Sequence, residues 1–168
     1  MSTIMASAAT SRLLQSLRLV EQPEAFYSVL KDVLQQTPGY IFVTLFLIHH
    51  GETLRVFTTE DVLYPVGVRK PMASTSWGDI VIKRQESFLA TDLPGIRSAF
   101  FDHARIEGLG CGSAISVPIV YDGKCLGALN LNHREHYYTG EHVEMIKTLA
   151  PALIPVLVDT LHRLDRDD

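Results

Sequence analysis

The chain has 168 residues, of which 46% are hydrophobic and 20% are charged. A single domain of this length buries about two-thirds of the surface of its unfolded chain, so we expect a substantial core. The formal net charge is −4, and the 15 Lys and Arg residues are scattered without a run. Proteins that bind nucleic acids usually have a basic face or stripe, so the composition argues against a nucleic-acid partner.

Two features of the sequence also argue against a membrane or export role. No segment contains the ~18 consecutive apolar residues of a membrane-spanning helix. Residues 1–10 have neither the basic start nor the apolar stretch of a signal peptide. We therefore predict a cytoplasmic protein without membrane contact. Because these first ten residues are mostly small and polar, we expect them to be frayed.

The first part of the chain predicts two helices followed by two strands. Leucine spacing in Ser11–Val20 indicates a short amphipathic helix. A second helix begins at Pro23-Glu24 and ends at Pro38-Gly39. Residues 40–49 are apolar at both alternating positions, which is typical of a central strand buried on both faces. Residues 53–59 return as a second strand.

The middle of the chain predicts short elements. Residues 60–74 are rich in proline and glycine and indicate a loop with at most one short strand. Ser76 resembles the first residue of a capping box and predicts a helix to about Gln85. Phe88 to Ala90 is a candidate short strand. A further helix is expected from Pro94-Gly95 to the glycines around residue 108.

The clearest local pattern is a β-hairpin with residues 112–121 and 124–133 as its strands. Asp122-Gly123 is a strong signal for the tight turn between them. Thr139 then caps a long helix that runs to about Arg163, and two prolines inside it should kink or split it. Strands that arrive as two hairpins, with helices beside them, indicate an antiparallel sheet in an α+β fold.

The hairpin resembles the C-terminal hairpin of GAF domains. Its matching parts are Ser113, the strand segment Val117-Pro118-Ile119, the tight turn, and the strand segment from Gly127 to Leu131. The aromatic Tyr138, the polar cap Thr139 and the helix after them fit the same pattern, as does the earlier segment Phe88 to Asp92. The resemblance covers roughly residues 22–160.

This resemblance implies one GAF domain spanning residues 1–168, with a PAS-like antiparallel sheet of five or six strands. Terminal helices are expected on one face, where they often pair two subunits, and a small-molecule pocket on the other. GAF domains bind ligands as different as cyclic nucleotides, haem, tetrapyrroles and amino acids, so the fold leaves the ligand and any cofactor unknown. No cysteine lies in residues 60–110, where bilin attachment is expected.

Strand parity gives a separate argument for the position of the pocket. If Tyr121 faces Lys124 and the ladder is regular, Ser113, Ile115, Asn130 and Asn132 share one face of the hairpin. The other face has small residues that allow helices to approach closely. A few polar groups in an apolar hollow are typical of a ligand site, so we predict that these four residues bind the ligand.

Segments expected to roof that face supply four more candidate ligand-binding residues. Trp77, Phe100 and Phe101 would form flat apolar walls, and Asp92 would accept a hydrogen bond or a cation. Each candidate has a purely structural alternative. Trp77 and Phe100 also suit a plain core, and Asp92 suits a turn or helix start. Ser113 and Asn130 also suit polar core groups with local hydrogen bonds.

Other chemistry is weaker in the sequence. Neighbouring histidines His49 and His50 should point apart on a strand end, so we predict no metal site. In the regular register Cys111 and Cys125 lie too far apart for a disulfide, which fits a reducing compartment. Cys111 remains a candidate reactive thiol, but the GAF-like free methionine-sulfoxide reductases use cysteines in pocket loops that this chain lacks.

Three functions therefore compete. We predict a small-molecule sensor that acts in signal transduction through a partner protein and is not an enzyme. The alternatives are a redox enzyme that uses Cys111 and a dimerising scaffold without ligand. The last helix is apolar almost all round, with Ile154 and Val158 in excess of one buried stripe. We therefore expect a homodimer through the N- and C-terminal helices.

Overall fold

The computed structural model describes residues 2–72 and 74–168. Within these residues the helices are α1 Ser2–Ser16, α2 Glu24–Gln36, α3 Ser76–Gly78, α4 Leu93–Ala99, α5 His103–Gly108, α6 Gly140–Leu149 and α7 Ile154–Asp167. The strands are β1 Phe42–His49, β2 Glu52–Thr58, β3 Arg69–Pro71, β4 Phe88–Ala90, β5 Ser113–Tyr121 and β6 Lys124–His133. A π-helical turn, Asp79–Lys83, extends α3, and a 3₁₀ turn, Ala150–Leu153, joins α6 to α7.

All six strands form one antiparallel sheet in the order β3-β2-β1-β6-β5-β4. The predicted α+β fold is confirmed. Strand β1 lies between β2 and β6, and its side chains are mostly buried on both faces, as the continuous apolar pattern predicts. The short strand expected in residues 60–74 is β3, at the edge of the sheet.

The terminal helices cover one face of the sheet, which we call the core face. Its strand side chains are Val43, Leu45, Leu47, Ile115, Val117, Ile119, Leu129 and Leu131. Residues of α1, α2, α6 and α7 pack on them in one large aliphatic cluster. The prolines in the last helix split it into α6 and α7, as predicted, because a proline ring removes a backbone donor and clashes with the preceding turn.

The hairpin β5–β6 contains a β-bulge that the regular register did not predict. Tyr121 pairs with Lys124, but Ile119 pairs with Gly127 because Leu126 is an extra residue in β6. One extra residue exchanges the faces of every later side chain in that strand. A Cβ on Gly127 would lie 2.0 Å from the backbone oxygen of Phe46, so the bulge occurs where β1 approaches too closely for any side chain.

Three local expectations are wrong. The first residues are not frayed, since α1 begins at Ser2 and buries Ala6, Ala9 and Leu13 against the core. Helix α3 is capped by Thr75, whose hydroxyl accepts from the Gly78 amide, and not by Ser76. The helix expected from Pro94 to residue 108 is two helices, α4 and α5, because residues 100–102 leave the helical path between them.

Among the described residues, none of the helices combines the length and the apolar character needed to cross a bilayer.

Candidate functional site

A cavity lies on the face of the sheet opposite the terminal helices, which we call the cavity face. Its volume is about 180 Å³. A cavity of about 150 Å³ already holds a benzene molecule, so this space suits a small organic ligand. The residues that line the cavity are Phe42, Thr44, Phe46, Thr53, Arg55, Tyr64, Val68, Lys70, Trp77, Phe100, Asp102, Ile106, Ala114, Ile115, Ser116, Asn130 and Asn132.

A chain of hydrogen bonds crosses the floor of the cavity. Trp77 Nε1 donates to Ser116 Oγ at 2.9 Å, and that hydroxyl donates to Asn130 Oδ1 at 2.7 Å. Asn130 Nδ2 in turn donates to Thr44 Oγ1 at 3.4 Å. The three strand residues are adjacent because β1, β6 and β5 pair Thr44 with Asn130 and Asn130 with Ser116. These hydrogen bonds fix the indole plane of Trp77 over the sheet.

Asn132 is the unsatisfied polar group of the cavity. It is 5% exposed, it lines the cavity, and its Oδ1 has no hydrogen-bond partner among residues 2–72 and 74–168. Its neighbour on β1 is Phe42, which offers no donor from its side chain. A buried acceptor without a partner costs about 1–3 kcal/mol. The oxygen itself is buried, so a ligand that brings an N–H or O–H group reaches it when the Asn132 amide turns toward the cavity.

Two cations enter the cavity from β2 and β3. Arg55 donates to the Pro65 carbonyl at 3.0 Å, and its guanidinium lies 5.1 Å from the centre of the Tyr64 ring. Lys70 lies on the same face because it pairs with Thr53, two residues before Arg55. Partial burial lowers the pKa of Arg55, although the guanidinium stays charged at neutral pH. Within residues 2–72 and 74–168 neither cation forms an ion pair.

Tyr64 and Asp102 form the acidic corner of the cavity. The Tyr64 hydroxyl donates to Asp102 Oδ2 in a short hydrogen bond. Burial and this bond raise the pKa of Tyr64 above its usual range, so the hydroxyl remains a donor. The carboxylate keeps further acceptor sites, since two oxygens offer about four.

Aromatic rings form the walls. Trp77 meets Phe46 edge to face at 5.6 Å between centroids and lies 6.3 Å from Phe100. Phe42 and Tyr64 stack at 5.0 Å. Rings at these distances stabilise one another, so the walls are preformed. The cavity therefore combines flat apolar surface with two cations and an unpartnered amide oxygen.

Five of the eight predicted ligand-binding residues line this cavity: Trp77, Phe100, Ile115, Asn130 and Asn132. The placement of Ser113 and Ile115 on the same face was wrong, because the bulge at Leu126 puts them on the core face. Ile115 borders the cavity from within β5, but its side chain is fully buried in the core cluster. Ser113 donates to the Arg134 carbonyl at 2.7 Å.

Asp92 and Phe101 also lie outside the cavity lining. Asp92 is the N-cap of α4, and its Oδ1 accepts from the Gly95 amide at 2.9 Å. This is the structural alternative that the Asp-Leu-Pro-Gly segment suggested. Phe101 lies within the break between α4 and α5 and is 88% exposed.

Sequence reasoning missed the lining residues of β1, β2, the following loop, β3 and the break between α4 and α5: Phe42, Thr44, Phe46, Thr53, Arg55, Tyr64, Lys70 and Asp102. One signal was present for β1. Phe42, Thr44 and Phe46 alternate, and Thr44 is a polar residue inside an apolar run. No local signal in the sequence shows that Tyr64 or Asp102 reaches the cavity. The loop after β2 brings Tyr64 there, and the break between α4 and α5 brings Asp102. Ser116 takes the place that the regular register gave to Ser113.

A cluster of histidines and aspartates lies at the end of β1. His49 and His50 do not point apart as predicted; their rings stack at 3.8 Å. Asp165 and Asp168 complete the one group among the described residues whose donor atoms could surround a cation, all within 4.8 Å. His49 Nε2 lies 3.0 Å from Asp165 Oδ1, and Arg69 faces the other ring nitrogen at 3.4 Å.

This arrangement suits a clasp between sheet and helix better than a metal centre. Nearly parallel imidazoles aim their in-plane lone pairs side by side and not at a common point. Arg69 donates to the nitrogen that must carry a proton when the other nitrogen binds a metal, and its positive charge repels a cation. His49 is 4% exposed, so this clasp is buried on the side of the sheet.

Neither cysteine lines the cavity. Cys111 is buried in the smaller apolar cluster beneath α4 and α5, and burial raises the pKa of its thiol to about 12. Cys125 lies beside the hairpin turn, where its sulfur donates to the Gly127 carbonyl, and burial raises its pKa as well. Both are free thiols, in agreement with the predicted absence of a bridge between them.

A family model described as "GAF domain" matches residues 21–153. The chain belongs to the GAF family. Its six-stranded sheet, with terminal helices on one face and a cavity on the other, is the arrangement that the resemblance in the sequence implied. A search of curated protein sequences gave no match.

Solved structures with the same fold include a GAF domain of a phosphotransferase and a methionine-sulfoxide reductase. The GAF domain of a phosphoenolpyruvate-protein phosphotransferase from Coxiella burnetii has a TM-score of 0.76 and 20% identity, with 95% of this chain and 96% of that chain covered. The free methionine-R-sulfoxide reductase from Neisseria meningitidis, in complex with its substrate, has a TM-score of 0.69 and 16% identity, with coverage of 95% and 93%. At such identities the likeness extends to the fold alone.

Proposed function

We propose that this GAF domain is a sensor that binds a small, partly apolar ligand in the cavity and passes the bound state to a partner protein. The observation that carries the proposal is the cavity itself: an ordered hydrogen-bond chain holds Trp77 in place, while the oxygen of Asn132 lacks a partner. A preformed apolar space with a few directed polar groups is the usual form of a ligand site. The two unpaired cysteines support a cytoplasmic location.

Thermal unfolding with a ligand panel tests this proposal. A ligand at one thousand times its dissociation constant adds ~4 kcal/mol to the free energy of unfolding, which gives a clear rise in melting temperature. Binding should also change the emission of Trp77, the single tryptophan. Native mass spectrometry of the purified protein then identifies any molecule carried over from the host.

The matched control for the screen is Ala114→Met. Ala114 lines the cavity, is 2% exposed and takes no part in the hydrogen-bond chain. A longer side chain there occupies ligand space, so the shift caused by a true cavity ligand should disappear. A panel of cyclic nucleotides, haem, bilins, amino acids and aromatic acids that leaves the melting temperature unchanged would contradict the proposal.

We further propose that two copies pair through their terminal helices. The apolar side chains of Ile4, Leu14, Leu19 and Val20 are 48–84% exposed in the single chain, next to the helix layer on the core face. Light scattering should give twice the mass of one chain, and Leu14→Glu should lower it. A monomer mass for the unmodified chain at micromolar concentration would remove this part of the proposal.

The redox alternative is disfavoured by the positions of the thiols. A sulfoxide reductase that works through a cysteine needs a thiolate facing its substrate, but Cys111 is buried beneath α4 and α5 with a pKa of about 12. Iodoacetamide at about pH 8 should modify Cys125 well before Cys111. Rapid labelling of Cys111, with loss of a measured turnover in Cys111→Ser, would restore the enzymatic interpretation.

A further inference from the structure

The charges around the cavity are opposite in sign to those of the whole chain. Its lining contains two cations, Arg55 and Lys70, and one carboxylate, Asp102, whereas the chain has a formal net charge of −4. The Tyr64 hydroxyl donates to Asp102 and leaves the charge of that carboxylate in place. The formal charge of the lining is therefore +1, and both cations lie on the β2–β3 side of the cavity.

Arg55 has donors to spare. A guanidinium has five N–H donors, and the hydrogen bond formed by Arg55 uses one of them, to the Pro65 carbonyl at 3.0 Å. Its plane is held at 5.1 Å from the centre of the Tyr64 ring, which orders the side chain before any ligand arrives. A planar fork with free donors matches the two oxygens of a carboxylate, and Lys70 adds a second positive charge on the same face.

Asn132 independently favours a ligand with a hydrogen-bond donor. Its buried Oδ1 accepts no hydrogen bond from the described residues, and it lies on β6, on the other side of β1 from Arg55. The ligand donor must therefore stand away from the anionic end. The rings of Phe46 and Trp77, 5.6 Å apart, line the same cavity and present flat apolar surface to the ligand.

We infer that the ligand is a small carboxylic acid with a flat apolar body, whose carboxylate binds Arg55 and Lys70 and whose distal N–H or O–H donates to Asn132. This inference rests on the proposed sensor function and names the chemical class that the cavity selects. A neutral apolar compound leaves the two cations unpaired, and an acid without a donor leaves the Asn132 oxygen unpaired.

Three probes of nearly the same shape separate these demands: 4-hydroxyphenylacetate, its amide 4-hydroxyphenylacetamide, and phenylacetate. Titration calorimetry and Trp77 emission measure their binding to the full chain. We expect 4-hydroxyphenylacetate to bind at least about tenfold more tightly than either of the others, because a site with fixed polar groups rejects analogues that leave those groups unpaired. Indole-3-acetate and its amide repeat the comparison with a larger ring.

Variants assign each preference to a residue. Arg55→Gln should weaken the acid by about tenfold or more and leave the amide unchanged, and Lys70→Gln should have the same effect in smaller measure. Arg84→Gln removes the same charge from an exposed helix end outside the cavity and should change neither. Asn132→Ala should remove the preference for the hydroxylated acid over phenylacetate. Melting curves of the unliganded variants confirm that each is folded.

The outcomes separate this inference from the function on which it rests. Equal affinity for acid and amide, or tight binding of a neutral or cationic compound that Ala114→Met abolishes, overturns the anionic class and leaves the sensor standing. Failure of every acid to bind at about 1 mM overturns the inference as well. No binding by any compound of the wider panel contradicts the sensor proposal itself.

Discussion

The two faces of the sheet differ in how completely their side chains satisfy one another. On the core face, aliphatic residues of β1, β5 and β6 meet the terminal helices and are almost all below 3% exposure. On the cavity face, rings and polar groups surround an empty space, and Asn132 lacks a partner. The core face therefore provides stability, whereas the cavity face, where we propose that the ligand binds, gives up some of it.

The largest expected effect comes from a pair of neighbours on β6 that point to opposite faces. Leu131→Ala should lower the free energy of unfolding by about 2–5 kcal/mol, because Leu131 is fully buried and leaves a void under the helices. Asn132→Ala should cost less than about 1 kcal/mol, since its oxygen has no partner to lose. Urea unfolding of both variants measures the difference, and equal losses would contradict the contrast between the faces.

A second substitution tests the hydrogen-bond chain on the cavity face. Ser116→Ala leaves Trp77 Nε1 and Asn130 Oδ1 without their partner and should cost about 1–3 kcal/mol. The emission of Trp77 should shift, because the indole loses its acceptor. Ser98→Ala, whose hydroxyl bonds an exposed turn, should stay within about 0.5 kcal/mol of the original protein. Unchanged Trp77 emission in Ser116→Ala would show that these hydrogen bonds do not hold the indole ring in place.

A third substitution sharpens the description of the core face at its edge. Asp165→Ala removes the partner of the buried His49 and should cost up to about 1 kcal/mol, a small value because the carboxylate is 58% exposed. Asp159→Ala breaks an exposed pair with Arg163 in the same helix and should cost less, about 0.3–0.5 kcal/mol. If zinc or nickel raised the melting temperature of the original protein and not of Asp165→Ala, the cluster would be a metal site and not a clasp.

The smallest expected effect is a pH dependence at the end of β6. Partial burial, followed by the charges of Arg134 and His142, lowers the pKa of His133 below its usual 6.5. The unfolded chain then binds a proton more readily than the folded one. The contribution of His133 to stability is therefore present above about pH 6.5 and is lost as the pH falls through the titration range below it.

Replacing the histidine isolates this contribution. His133→Gln should flatten the loss of stability between about pH 7 and pH 5, and His136→Gln, at an exposed position, should not. Thermal melts across this range provide the measurement. Parallel pH profiles for His133→Gln and the original protein would show that the ring has no such role.

The resemblance of the hairpin to GAF domains predicted the family. Local patterns predicted the antiparallel sheet, the central position of β1, the turn at residues 122–123 and the split of the last helix. Each of these depends on near neighbours: alternation within a strand, a turn dipeptide, or a proline in a helix. The residues of the cavity face were predicted only in part. Trp77, Asn130 and Asn132 reach it, but Ser113 and Ile115 belong to the core face.

One residue explains why Ser113 and Ile115 lie on the core face and not on the cavity face. Leu126 is the extra residue of the bulge, and the strands on either side of it read as a regular alternation. A glycine inside a strand often marks a bulge or a close backbone approach, and Gly127 was such a signal. The need for glycine at position 127 comes from another strand, because the backbone of Phe46 in β1 occupies the space that a Cβ would need.

By itself the sequence determined which segments become strands and helices and which of their stripes are apolar, because these follow from backbone preferences and spacing along the chain. Tertiary structure alone decided which polar groups meet. Arg55 and Asn132 come to one cavity from strands on either side of β1, and His49 meets Asp165 across 116 positions of sequence. Contacts of this kind depend on register and on the packing of distant elements, and no periodicity within one segment encodes them.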